Sequence, residues 1–154
     1  SLKRKDWYVD YHNIDTFAGV QNQRKIFTDT AIEMLAAGDT AKAIEMLDLC
    51  QEYIPEENFP LDMSIYRLSN ELYVSYMTEV YFEAGEMEKG AELAERFSTQ
   101  LLDSAAFFLK YYDWASGEFE TCRNCLSNIA GVAGRFGRED IAENIAVRFN
   151  SLLE

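Results

Sequence analysis

Cys122 and Cys125 stand one helical turn apart in Cys122-Arg123-Asn124-Cys125, a spacing shared by redox dithiols and by half-sites for zinc. A redox dithiol needs a thiolate of lowered pKa, usually at a helix start beside a strand. Here the pair falls inside a helical pattern, and no strand pattern occurs along the chain. The expectation is therefore two small, partly buried side chains on one helix face. Structural zinc takes four ligands. The available set is Cys122, Cys125, Cys50 and His12, and Cys50 falls on the apolar face of another helix, so no metal site is assigned. The odd cysteine count gives no disulfide framework and leaves the redox compartment open.

His12 is the sole histidine, so a histidine-based triad or acid–base mechanism would depend on one residue near the N-terminus. No serine lies in a nucleophile-elbow setting and no glycine-rich phosphate loop follows a strand. Acidic residues are numerous but spread along helix exteriors, as in Glu86, Glu88, Glu92 and Glu95, the pattern of a solvated face. No catalytic residue and no cofactor is assigned, and the chain reads as a non-enzyme.

The 154 residues carry 14 Lys and Arg against 27 Asp and Glu, a net charge of −13. A nucleic-acid partner requires a basic footprint to displace phosphate counterions. The one basic run, Lys3-Arg4-Lys5, is too short to supply it, which also argues against docking on an anionic membrane. No apolar stretch approaches the roughly 20 residues of a membrane span, so direct insertion is not expected. The chain begins at Ser1 without a Met, which suggests a fragment of something longer.

The elements that must hold these residues are helical. Three segments share a small or apolar stretch, a glycine, then an amphipathic stretch: Leu35 to Ile44 around Gly38, Tyr81 to Ala91 around Gly85, and Gly134 to Ala142 around Gly137. Glycine closes a helix in the left-handed conformation at little cost. Asp39, Glu86 and Glu139 follow, near the positive end of the next helix dipole. Five residues past each glycine stands a small residue (Ala43, Gly90, Ala142) that lets paired backbones approach. Ala43, Leu47 and Cys50 share a face by helical spacing, as do Gly90, Ala94 and Phe97, and Ala142, Ala146 and Phe149. The leading helices carry matching stripes: Phe27, Ala31 and Met34; Val74, Met77, Thr78 and Tyr81; Leu126, Ile129, Ala130 and Ala133. The pattern predicts helices over about 20–37, 40–53, 64–84, 87–101, 104–114, 118–136 and 139–153, after an extended N-terminal segment at 1–19.

This spacing resembles the tetratricopeptide repeat, a unit of about 34 residues that pairs two antiparallel helices. The first hairpin fits best, from Phe27 through Gly38, Ala43, Leu47 and Cys50 to Pro55. The glycine spacings, 47 residues from 38 to 85 and 52 from 85 to 137, exceed that unit. The surplus lies in 52–62 and 98–117, long joints able to reshape or cover a groove. The fold expected from the resemblance is all-α, a stack of about three antiparallel helical hairpins in a right-handed α-α superhelix over 20–154.

A narrower resemblance covers about Arg24 to Leu153. Gly38-Asp39-Thr40-Ala41-Lys42-Ala43, Ile54-Pro55-Glu56-Glu57-Asn58-Phe59-Pro60, Tyr81-Phe82-Glu83-Ala84-Gly85 and Glu88-Lys89-Gly90 are similar to the soluble C-terminal part of a bacterial family of multi-spanning membrane proteins of unknown function. The membrane portion of that family is similar to protein O-mannosyltransferases. The resemblance implies a domain tethered to the inner membrane on the periplasmic side, beside a parent that transfers a sugar through residues absent from this chain. Lys3-Arg4-Lys5 next to a span would instead fit the cytoplasmic side.

The function expected is a protein-interaction or scaffolding domain, whose partner is another protein or the parent's own membrane domain. A free-standing helical regulator, or a small-ligand or metal-binding domain, is the alternative. Repeat proteins of this kind bind on the concave surface lined by leading helices. That surface would present Lys25, Thr28, Asp29, Ser75, Tyr76, Glu79, Asn124, Asn128 and Arg135. Phe107, Phe108, Tyr111, Tyr112 and Trp114 cover a wide helical face, expected mainly as core packing, with a partner surface as the other use.

Overall fold

The computed structural model describes residues 14–62 and 73–154, with side chains described from residue 19 onward. Among the described residues every regular element is a helix: α1 (Ile14–Ala36), α2 (Thr40–Tyr53), α3 (Tyr73–Glu83), α4 (Met87–Lys110), α5 (Tyr112–Arg135) and α6 (Glu139–Leu153). Their order in space follows the chain. Each of α1/α2, α3/α4 and α5/α6 packs as a pair, α3 touches α1, α2 and α5, and α4 packs along α5 and against α6.

The three glycine stops fold alike. Gly38, Gly85 and Gly137 have φ of 83°, 85° and 78°. At each stop two backbone bonds close the helix: Asp39 N–H to Met34 O with Gly38 N–H to Leu35 O, Glu86 N–H to Tyr81 O with Gly85 N–H to Phe82 O, and Arg138 N–H to Ala133 O with Gly137 N–H to Gly134 O. This is the Schellman arrangement, which satisfies carbonyls that a helix end would otherwise leave open. Of the residues that follow, Asp39 caps α2 by accepting a bond from Lys42 N–H at 3.2 Å. Glu86 and Arg138 cap with no side-chain bond.

Several boundaries differ from those predicted. Helix α1 begins at Ile14, inside the segment expected to be extended, while residues 1–13 lie outside the described ones. The start predicted for the third helix, 64–72, also falls wholly outside them. The break predicted between 101 and 104 is absent because Leu101, Leu102 and Ala105 continue the buried stripe and no Gly or Pro interrupts them. Instead α4 runs 24 residues to Lys110, and α5 starts at Tyr112 with a kink at Ala115 (φ −128°, ψ 28°).

The core joins all three pairs. Ala43, Leu47 and Cys50 are buried as the spacing required, and so are Gly90, Ala94 and Phe97. The third pair departs: Ile141 and Ile145 are buried, Ala142 and Phe149 are half-buried, and Ala146 is exposed. As the last helix described, α6 turns its larger apolar side chains inward, because burying isoleucine removes more apolar area from water than burying alanine.

Candidate functional site

The nine residues expected on the leading-helix surface divide into two groups. Thr28 is fully buried, with its hydroxyl donating to Arg24 O at 2.7 Å, and Ser75 is also buried. Neither can meet a partner. On α1 the buried residues are Val20, Gln21, Arg24, Thr28 and Ala31, a face turned from the predicted stripe, so Phe27 and Met34 are only half-buried. Helix α3 is the central helix, enclosed by α1, α2, α4 and α5, which buries Ser75 along with Val74, Met77 and Thr78. The Ser75 hydroxyl has no hydrogen-bond partner among the described residues.

The other seven remain accessible, and four of them are linked. Lys25 Nζ pairs with Asp29 at 2.7 Å and lies 5.6 Å from the centre of the Tyr73 ring, joining α1 to α3. Arg135 pairs with Glu79 at 2.6 Å, joining α5 to α3. Tyr76 stands on α3 at 43% exposure. Asn124 and Asn128 are exposed one turn apart on α5. The face is thus an exposed tyrosine accompanied by two ion pairs, Lys25 with Asp29 and Arg135 with Glu79. Such surface pairs contribute about 0–1 kcal/mol each and open readily, so a partner's charges can replace either member at little cost.

The structure adds a second place that the spacing did not disclose. After α2 the chain from Ile54 to Asp62 folds back instead of looping into solvent. Phe59 and Leu61 are buried, and the Arg24 guanidinium, itself buried, donates to Phe59 O and to Pro60 O, the latter at 2.8 Å. Burial pushes Arg24 down to about 10, which still leaves it charged at neutral pH. Helix α4 fastens the joint from the other side. Gln100 Oε1 accepts from Leu61 N–H at 2.7 Å, Arg96 Nε donates to Glu56 at 3.0 Å, and the Ser104 hydroxyl donates to Asp62 at 2.5 Å.

Between joint and helix lies an open cleft of about 580 Å³ whose rim includes Glu56, Glu57, Asp62 and Asp103. Its one cation, Arg96, is engaged by Glu56 and by Gln51. Asp62 is buried, and burial raises its carboxyl above the usual range against the opposing pull of the Ser104 bond and Arg24. The sequence hint was the carboxylate pair Glu56-Glu57 held between Pro55 and Pro60. Nothing in that hint showed which helix the joint would meet.

The cysteines are free thiols, and all three are buried. Burial, the first cause in each case, pushes Cys122 up to about 12 and both Cys50 and Cys125 up to about 11. These surroundings suppress the thiolate that nucleophilic or redox chemistry requires. Among the described residues no group of three or more His, Cys, Asp and Glu is placed to hold a metal ion, and His12 lies outside them. No described helix is long and apolar enough to cross a membrane. Comparison with protein-family models, with curated proteins and with solved structures finds no match for this chain.

Proposed function

We propose that this chain is a protein-interaction domain of tetratricopeptide-like hairpins, and that its partner contacts the leading-helix face around Tyr76. The observation that carries the reading is the threefold Schellman stop. A unit repeated with the same closing geometry is how helical-repeat proteins build a continuous core while leaving one helix face open to partners. The partially exposed tyrosine supports the choice of face, since tyrosine combines apolar area with a polar tip and is enriched at binding hot spots. In this proposal the hairpins form a right-handed superhelix, and the domain is a scaffold with no reaction of its own.

The resemblance over Arg24 to Leu153 supports a further part of the proposal. The domain would be the extramembrane appendage of a glycosyltransferase-like inner-membrane protein, on the periplasmic side, with the parent's membrane domain or a separate protein as its partner.

A photo-crosslinking amino acid placed at Tyr76 in the intact polypeptide tests both parts. The expected result is one discrete adduct, mapping either to residues encoded ahead of Ser1 or to a single second protein. The same probe at Val147 on α6, 66% exposed, serves as the control. Equal and diffuse adducts from the two positions would sink the assignment of the face. Coding sequence upstream of Ser1 without apolar spans of about 20 residues would remove the membrane tether.

A further inference from the structure

From Ala106 through Glu118 no residue is buried, although Ala105 and Phe119 on either side are. Helices α4 and α5 therefore meet at Tyr111 in a tip without a fully buried residue, where Phe108 and Leu109 rest against the edge of the core. The aromatic residues expected mainly inside are displayed there. Trp114 is 91% exposed and Phe107 59%, while Tyr111 and Tyr112 are each 45% exposed. The tip is ordered by its own contacts. Phe107 meets Tyr111 at 5.1 Å between centroids, and Tyr112 sits edge-on to Phe119 at 5.6 Å, which in turn stacks on Phe149.

We propose that this aromatic tip is the contact surface for a second copy of the same chain, meeting it about a two-fold axis. Charge supports that occupant. The tip from 106 to 118 holds one Lys, one Asp and one Glu, a net of −1 in a chain of −13, so it is a place where two acidic bodies can approach with little repulsion. Lys110 and Asp113 stand on either side of the Tyr111 break, both are exposed, and neither belongs to an ion pair among the described residues. A two-fold interface brings residue i of one copy to residue j of the other and the reverse. It would give each Lys110 the partner's Asp113.

Area agrees with the same occupant. At about 150–250 Å² for each aromatic side chain, the exposed parts of the four rings offer roughly 360–600 Å². A standard interface needs about 800 Å² per partner. The rings supply about half of that or more, and the Lys110 stem with the half-buried Phe108 and Leu109 adjoins them. The tip shares no residue with the Tyr76 face, so the two surfaces can be tested separately.

Sedimentation velocity of the full chain over a wide concentration range decides the matter, with circular dichroism to verify unchanged helicity. The expected behaviour is a reversible monomer–dimer equilibrium that Trp114→Ser weakens about tenfold or more. Lys110→Asp should weaken it too, and Lys110→Asp combined with Asp113→Lys should restore it, because the swap keeps opposite charges facing across the axis. A wild-type chain that stays monomeric at every concentration would overturn the proposal. So would a dimer indifferent to Trp114→Ser, or a double variant that fails to recover. Monomers that bind phosphatidylcholine vesicles through Trp114 would assign the tip to lipid instead.

Discussion

A Cβ added to Gly90 would lie 2.6 Å from both Cδ1 and Cε1 of Phe82, so the ring of Phe82 rests directly on the backbone of α4. The ring has little freedom to retreat. Phe82 is buried and stacks on Phe136 at 5.3 Å between centroids, which locks α3, α4 and the end of α5 together. The small residue five places after the glycine stop is thus a packing requirement at this joint.

Two glycine-to-alanine substitutions should consequently act in opposite directions. Gly90→Ala gains up to about 1 kcal/mol of helix propensity, but overpacking a close-fitted core costs about 1–3 kcal/mol. A net loss of about 1–2 kcal/mol is expected. Gly131 lies within α5, exposed, with nothing within 4 Å of an added Cβ. There the propensity term acts alone, and Gly131→Ala should stabilise by about 0.5–1 kcal/mol. Urea denaturation of the two variants checks the pair, and equal signs would contradict the ring-on-backbone contact.

Tyr81 joins the first hairpin to the second. Its hydroxyl donates to Asp48 Oδ1 at 2.7 Å and accepts from Gln51 Nε2 at 2.7 Å, while Lys89 Nζ holds the other Asp48 oxygen at 2.7 Å. Burial, together with the neighbouring Asp48 carboxylate, pushes the phenol well above its ordinary value, so it stays a donor. Tyr81→Phe keeps the ring and deletes the hydroxyl between two partners. A loss of about 1–2 kcal/mol is expected, since a neutral buried bond contributes about 0.5–1.5 kcal/mol and bonds to charged groups more. Chemical denaturation measures the loss. In the wild type, spectroscopic titration should find this tyrosine silent until the chain unfolds at high pH.

The two local periods were legible in the residues themselves. Glycine at 38, 85 and 137 demands a left-handed stop, and Ala43, Leu47 and Cys50 can share a buried face only on a helix. What escaped was tertiary. Whether Thr28 and Ser75 face a partner or a neighbour depends on how many helices surround α1 and α3, and a single helix's pattern does not encode that number. The stripe Ala142, Ala146 and Phe149 failed in the same way, because α6 is covered by α4 and α5 from a direction its small residues do not mark. Phe107, Tyr111 and Trp114 have the hydrophobicity of a core but lie past the last buried turn, and composition cannot measure height along a helix. The joint cleft was hidden for a related reason, since its residues from 56 to 62 and from 96 to 104 meet only after folding.

Asp62 should give the stability a particular pH dependence. Burial raises its folded-state pKa, so the protonated form is the one the fold prefers. The sign follows from linkage: the contribution is fully present below the ordinary carboxylate range and is lost as pH rises through the raised value. Asp62→Asn preserves an acceptor for the Ser104 hydroxyl and removes the charge. The variant is expected to be more stable than wild type at pH 7, with the advantage vanishing near pH 3. Stability curves of both proteins across that interval provide the check, and a constant difference at all pH values would exclude Asp62 as the titrating group.

The cysteine pair offers the sharpest separation between a reactive and a structural role. Burial raises all three thiols well above their ordinary value, Cys50 and Cys125 to about 11 and Cys122 to about 12, so very little thiolate is present at pH 8. Burial of all three also blocks the approach of a reagent. Labelling by a small thiol reagent should therefore wait on opening of the fold, with all three cysteines slow in buffer and fast in concentrated urea. The rate should also rise in Gly90→Ala, which destabilises the fold by overpacking without changing any cysteine. A dithiol built for exchange would behave otherwise: Cys122 and Cys125 would react within the mixing time in the native protein, well ahead of Cys50, and their rates would be insensitive to Gly90→Ala.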